Sequence, residues 1–335
     1  MPQNGTGNGA GRTLLLLAFA LVPLAPRPSL AADEGLIERC WTPAALAGSN
    51  KEAKPVRSHA RLDLDALRQE ALLPATPLPP ELRGSIRSVE LPPGEKLITD
   101  GAIAGYDGRI VDLLRAQGAK ATFFVSGKWI ETHRERAEQL IADPNFEIAN
   151  HGFRHRDFSR IPDRTLNDEI VLADAAYMRA RKALLARQCA SGVDAQAAAP
   201  ERVSLLRFPF GTCNAKSLAA VADSGLLAIQ WDIVTGDPDP HITAKGIARN
   251  ILAHAHPGAI VVAHANGRGR RTAEALAIAL PKLKEQGYSF VTVSELIKAG
   301  KPVIAASCYL DRPRGKARIA RASKRRSHVW PILGR

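Results

Sequence analysis

The chain reads as an α/β fold, a parallel sheet with helices packed outside it, and three observations predict this. From about residue 96 onward, short apolar runs alternate with stretches that carry apolar residues at helical spacing. The number of such strand–helix units favours curling toward a barrel over an open sheet. The residues suited to chemistry all fall just after the apolar runs, where parallel α/β folds place their sites.

Each element follows from its own residues. Residues 96–99 read as a strand and 107–117 as a helix with Asp107 as its N-cap. Residues 119–125 form a buried apolar run, followed by a helix over 129–141 and a strand over 146–149. A long helix spans 164–187. Then come a strand at 205–208, a helix at 215–224, a strand at 226–231, a helix at 243–255 and a strand at 259–263. A helix over 272–285 and a strand over 289–293 close the series. No internal repeat is present.

The ends differ from this body. Arg12, an apolar run over 14–24 and the small residues of Ser29-Leu30-Ala31 read as a secretion leader covering 1–31. The run is short for a membrane span, which disfavours an uncleaved anchor. Residues 32–85 are proline-rich and too poor in apolar mass for a domain, so they read as an extension wrapped on the core, with a short helix near 62–71. The body is expected over 86–300 and a basic, disordered tail over 301–335. Net charge is +13, and residues 312–326 carry no acid. That run suits weak contact with anionic surfaces. With only 5% aromatic residues, the chain offers little for nucleic-acid stacking, and no specific nucleic-acid partner is expected.

Export gives Cys40, Cys189, Cys213 and Cys308 the chance to pair. Their positions suggest Cys40–Cys308, tying the two tails, and Cys189–Cys213, flanking one loop. A four-cysteine zinc site is disfavoured because no C-x-x-C spacing occurs.

The chemistry centres on Asn150-His151-Gly152-Phe153-Arg154-His155. Two histidines four apart, just past a strand, can turn both imidazoles toward one point and suit a divalent metal. Three later segments stand beside them in the fold order: Arg207-Phe208-Pro209-Phe210-Gly211, Trp231 through Asp237, and Ile260-Val261-Val262-Ala263-His264.

The order and spacing of these pieces resemble the polysaccharide deacetylase family, also known as the NodB homology domain or carbohydrate esterase family 4. The resemblance implies a distorted, incomplete (β/α) barrel. It implies one divalent metal, zinc first, with cobalt, nickel or manganese as alternatives. The metal ligands carried over are Asp100, His151 and His155. The catalytic set is His264 as acid, Asp237 to orient it (Asp232 in reserve), Arg207 to pair a catalytic carboxylate, and Phe210 to offer its backbone N–H to an oxyanion. The family usually follows the Asp237 position with Trp; here Pro238 stands there.

The first family motif, Thr-Phe-Asp-Asp-Gly, is degenerate. Leu97-Ile98-Thr99-Asp100-Gly101 puts Thr99 at the base position, and Thr cannot act as a base near neutral pH. The segment leading to Gly105-Tyr106-Asp107-Gly108 is also short, and Asp107 reads as a cap rather than a ligand. The leading expectation is therefore an exported, periplasmic or secreted, metal-dependent hydrolase. It would remove N-acetyl or other acyl groups from amino-sugar polymers (chitin-like oligomers, peptidoglycan or exopolysaccharide) with reduced activity. The alternative is a non-catalytic carbohydrate-binding or cell-envelope protein on the same fold. A cyclic-amide hydrolase is a third reading, disfavoured by export. A monomer is expected.

Overall fold

A computed structural model describes residues 35–54, 62–70, 76–308, 310–311 and 318–319. The expected leader at 1–31 and most of the basic tail lie outside the described residues.

The N-terminal extension contributes helices α1 (Leu36–Cys40), α2 (Pro43–Leu46) and α3 (Leu64–Glu70). Its few apolar side chains, Leu36, Ile37, Trp41 and Leu67, are buried in the main core. Too small to form a core of its own, the segment gains burial only by lying on the body. Trp41 donates its indole N–H to Glu135 at 3.1 Å and is covered by the Arg187 guanidinium.

The body runs through β1 (Ser85–Glu90), β2 (Leu97–Gly105), α4 (Gly108–Gln117), β3 (Ala121–Val125), α5 (Gly127–Thr132), α6 (Arg134–Ala142), β4 (Phe146–Asn150) and α7 (Asp163–Leu185). It continues through α8 (Val193–Ala198), β5 (Leu205–Leu206), β6 (Thr212–Cys213), α9 (Ala215–Asp223), β7 (Leu227–Ile229), β8 (Ile233–Val234) and α10 (Ala244–His254). Then follow β9 (Ile260–Ala265), α11 (Thr272–Glu285), β10 (Ser289–Phe290), α12 (Val293–Ala299) and β11 (Lys301–Ala305).

The main sheet has the order β11-β1-β7-β5-β4-β3-β2-β9-β8, with β10 beside β2. All pairs are parallel except β1 with β11. The ends approach, since Ser88 bridges Ala259, but no full ladder closes the ring. This is the distorted, incomplete (β/α) barrel. Strand alternation divides the apolar residues into two layers. Phe124, Ala149, Leu205, Ile229 and Ile260 fill the inside, while Phe123, Ile148, Leu206, Ala228 and Val261 face the helices.

Several boundaries differ from the sequence expectation, each for a local reason. The helix expected over 129–141 is broken at His133 (φ −133°, ψ 49°). There the Thr132 hydroxyl bonds back to the Lys128 carbonyl at 2.9 Å, competing with the helical ladder. The last strand stops at Phe290, because Thr292 and Glu295 form a capping box that starts α12 at Val293. The strand expected at 96–99 runs on to Gly105. Residues 301–305, expected in the tail, pair with β1. Gly300 permits that return: a Cβ there would stand 2.3 Å from the Glu90 carbonyl oxygen.

The expected disulfides, Cys40–Cys308 and Cys189–Cys213, are corrected to Cys40–Cys189 and Cys213–Cys308. Helix α1 lies on the turn Gln188–Ala190 that follows α7, which brings Cys40 to Cys189. After β11 the chain continues beside β1, where the Ser307 carbonyl accepts from Ser85 and Arg87, and so delivers Cys308 to the end of β6. Long-range packing, of a helix on a turn for one pair and of paired strands for the other, chose the partners over proximity along the chain.

Candidate functional site

Two histidines are set on the loop after β4. The Asn150 side chain accepts from the Gly152 N–H at 2.8 Å and donates to the Ile170 carbonyl at 3.0 Å. Buried Glu169 accepts from the Arg154 N–H at 2.7 Å. Left-handed backbone at Gly152 (φ 73°) and His155 (φ 59°) folds the loop back on itself. The His151 and His155 rings meet edge to face at 4.8 Å, and His155 meets the Phe210 ring at 4.7 Å. A carbonyl can only accept, so His151 Nδ1, 2.8 Å from the Arg207 carbonyl oxygen, carries the proton and leaves Nε2 bare. Burial, with the charge of His155 beside it, holds His151 well below the usual imidazole range. Burial, helped by Arg268 and His264, lowers His155 to about 4. Both rings are neutral near pH 7.

The second half of the site is built on β9 and the turn after β8. His264 Nδ1 lies 2.9 Å from Asp237 Oδ1, and its backbone N–H donates to Asp237 Oδ2 at 2.7 Å. The hydroxyls of Thr235 and Thr272 each donate to the same carboxylate at 2.7 Å. Burial alone would raise the Asp237 pKa, yet His264 and these donors bring it below the ordinary value. Asp232, the reserve partner, is elsewhere: it meets His256 Nε2 at 2.8 Å and accepts from the Ile260 N–H at 2.9 Å. The two threonines were not legible as site residues, since nothing in the sequence marks which hydroxyls meet a given carboxylate.

Arg207 is 1% exposed; it donates to the Gln230 carbonyl at 3.1 Å and lies over the Phe124 ring at 4.3 Å. Phe210 occupies a turn with left-handed backbone (φ 62°) and is 48% exposed. Its side chain is therefore a rim residue and not core. Gly211 lets that turn lie on Trp231, for a Cβ there would stand 2.5 Å from the indole.

The end of β2 departs from the sequence reading. Thr99 pairs with Ile260, the strand bulges, and Ala104 pairs with both His264 and Phe124. Cα partners in neighbouring strands face the same side. Ala104 is thus the inward residue at the level of His264. Thr99 lies four residues lower along β9, about 13 Å away, wholly buried and with its hydroxyl unpartnered. Asp100 falls in the bulge between these two levels. Gly105, next to Ala104, has φ 97°, and a Cβ on it would stand 2.8 Å from the Asn266 Cβ. Asp107 is the helix cap expected, accepting from the Arg109 N–H at 3.0 Å and pairing with its guanidinium at 2.7 Å.

The family resemblance implies a metal held by three ligands. Among the described residues, no group of three or more His, Cys, Asp or Glu is placed to hold one. Two imidazoles fall short of the three protein ligands that a catalytic zinc keeps. The side chain of Asp100, the third ligand expected, lies outside the described residues, so His151 and His155 are the two expected ligands the structure describes. What remains is an oriented, hydrogen-bonding imidazole at His264 and two neutral imidazoles beside an exposed ring.

Residues 97–229 match the family described as Polysaccharide deacetylase. A peptidoglycan-N-acetylglucosamine deacetylase of Bacillus cereus is 30% identical over 218 residues, covering 62% of this chain and 92% of the relative. A chitooligosaccharide deacetylase of a Bradyrhizobium species is 28% identical, covering 56% of this chain and 82% of the relative. Among solved structures, a CE4 family pseudoenzyme from Bacillus anthracis superposes with a TM-score of 0.51 at 23% identity, covering 64% of this chain and 69% of that one. The peptidoglycan deacetylase PdaC of Bacillus subtilis gives 0.51 at 22%, covering 62% and 93%. With the barrel, the His151/His155 loop and the His264–Asp237 pair in place, these matches establish that the chain belongs to the polysaccharide deacetylase family.

Proposed function

We propose that this protein is a non-catalytic, glycan-binding member of its family, working at the cell envelope. The observation that carries the reading is Ala104: the inward position opposite His264 holds a methyl group where metal-assisted hydrolysis needs a carboxylate. Deacetylation requires a water made nucleophilic, a polarised carbonyl and a proton for the amine. The His264–Asp237 pair suits the last, and nothing described supplies the first. The same groups suit recognition. The His264 imidazole can bond a sugar amide or hydroxyl, and the exposed Phe210 ring offers a flat apolar surface to a sugar face. The names of the relatives support an N-acetylated amino-sugar polymer as the ligand. The two disulfides and the leader-like N-terminus support an exported location, periplasmic or secreted.

Acetate release from N-acetylchitohexaose, measured with zinc supplied, should stay at the no-enzyme background, while calorimetry should detect binding of the same oligomer that weakens on Phe210→Ala. Brisk zinc-dependent release would overturn the non-catalytic reading and restore the hydrolase.

A further inference from the structure

The rim of the site is cationic, and its cations come from two distant parts of the chain. Lys54 belongs to the N-terminal extension. The preceding segment is fixed there: the Glu52 carbonyl accepts from the Trp129 indole at 2.7 Å, and the Glu52 carboxylate meets Arg136 at 2.7 Å. The Lys54 stem passes over the loop that follows His264, its Cε 3.1 Å from where a Cβ on Gly267 would stand. Arg268 follows on that same loop, its N–H held by the Asn266 side chain at 3.2 Å, and its charge reaches His155. Both side chains are exposed, and among the described residues neither pairs with a carboxylate. The carboxylates around the site are committed elsewhere. Asp237 is held by His264 and two threonines, Asp107 by Arg109, and Glu169 by the Arg154 N–H with Arg156 at 3.8 Å. The imidazoles of His151 and His155 add no negative charge, and neither do Ala104 and Gly105, the described residues at the end of β2. A neutral polymer would gain nothing from such a rim, whereas an acidic one would.

We infer that the ligand is a carboxylate-bearing glycan, its acidic sugar meeting Lys54 and Arg268 while a neighbouring N-acetyl sugar lies against Phe210 and His264. This rests on the glycan-binding reading above. The extension then does more than cover the core, since it supplies half of the charge that selects the ligand.

Calorimetry on the full chain at low salt separates the outcomes, using N-acetylchitohexaose and a hyaluronan hexasaccharide, which alternates N-acetylglucosamine with glucuronate. The acidic oligomer should bind at least about tenfold tighter, and Lys54→Gln with Arg268→Gln should remove that preference while leaving the neutral oligomer unchanged. Equal affinities in the native protein would overturn the inference. So would a preference that survives the double variant and disappears when the basic residues of 312–326 are neutralised, because the tail would then be the binder. Binding of both oligomers alike, weakened by Phe210→Ala, would sink this inference and leave the glycan-binding reading intact. Binding of neither would sink both.

Discussion

The two halves of the site are built differently. On the β8–β9 side the carboxylate is fully engaged: Asp237 takes four hydrogen bonds, two from His264 and one from each threonine. On the β2 side the described side chain at the corresponding level is the methyl of Ala104, followed by Gly105, with the backbone in register with β9. A buried carboxylate with several donors is expensive to remove, because each donor left behind must find another partner. A carboxylate whose partner is a metal can be lost with the metal. The Asp237 half also ties β9 to the turns around it, so its order follows from the fold as much as from any chemistry.

The largest effect should come from Thr99→Asp. The sequence alone makes this change look like repair of the missing base; the register makes it burial of a charge far below the site. We expect a loss of about 3 kcal/mol in urea unfolding and no acetate release. Gain of turnover would move the motif back to Thr99 and erase the contrast between the two strand ends.

Acid should act next. His155 is held neutral, with its folded pKa lowered to about 4 from an unfolded value near 6.5. Its contribution is complete above the unfolded value and is lost as pH falls toward the folded one. The metal-free protein should therefore lose about 2 kcal/mol between roughly pH 6.5 and 4, and His155→Gln should flatten that slope. A slope unchanged in the variant would assign the acid lability to other groups.

The smallest effect is the most diagnostic. Ala104→Asp places a carboxylate on the face and at the level of His264, whose charge reaches both His151 and His155. Zinc affinity, read by competition with a chelating dye, should rise by about tenfold, while acetate release stays at background. No change in zinc affinity would mean that the His151/His155 loop and the end of β2 do not face one point.

The legible parts of this protein were those written locally. His151 and His155 sit four apart on one loop, His264 ends an apolar run, and Asp107 stands before a helical pattern, so each carried its own signal. The β2 reading failed because an Asp-Gly pair looks like a strand end, whereas here it lies in a bulge and the strand resumes. The cysteine pairing failed because it depends on β11 returning along β1, a contact between residues more than two hundred positions apart that no local pattern records. Phe210 entered the site through its backbone N–H, and nothing local recorded that a left-handed turn also carries its ring out to the rim.

The crowding at Gly105 limits what this wall of the site can carry. With Asn266 standing where a side chain would go, and a backbone angle that L-residues avoid, a carboxylate cannot simply be written back at that position. A side chain at Gly105 would require the loop carrying Asn266 to yield, whereas one at Ala104 would not. On the glycan-binding reading proposed above, the same crowding makes this wall of the site a fixed surface, one that a bound sugar meets without the backbone having to move.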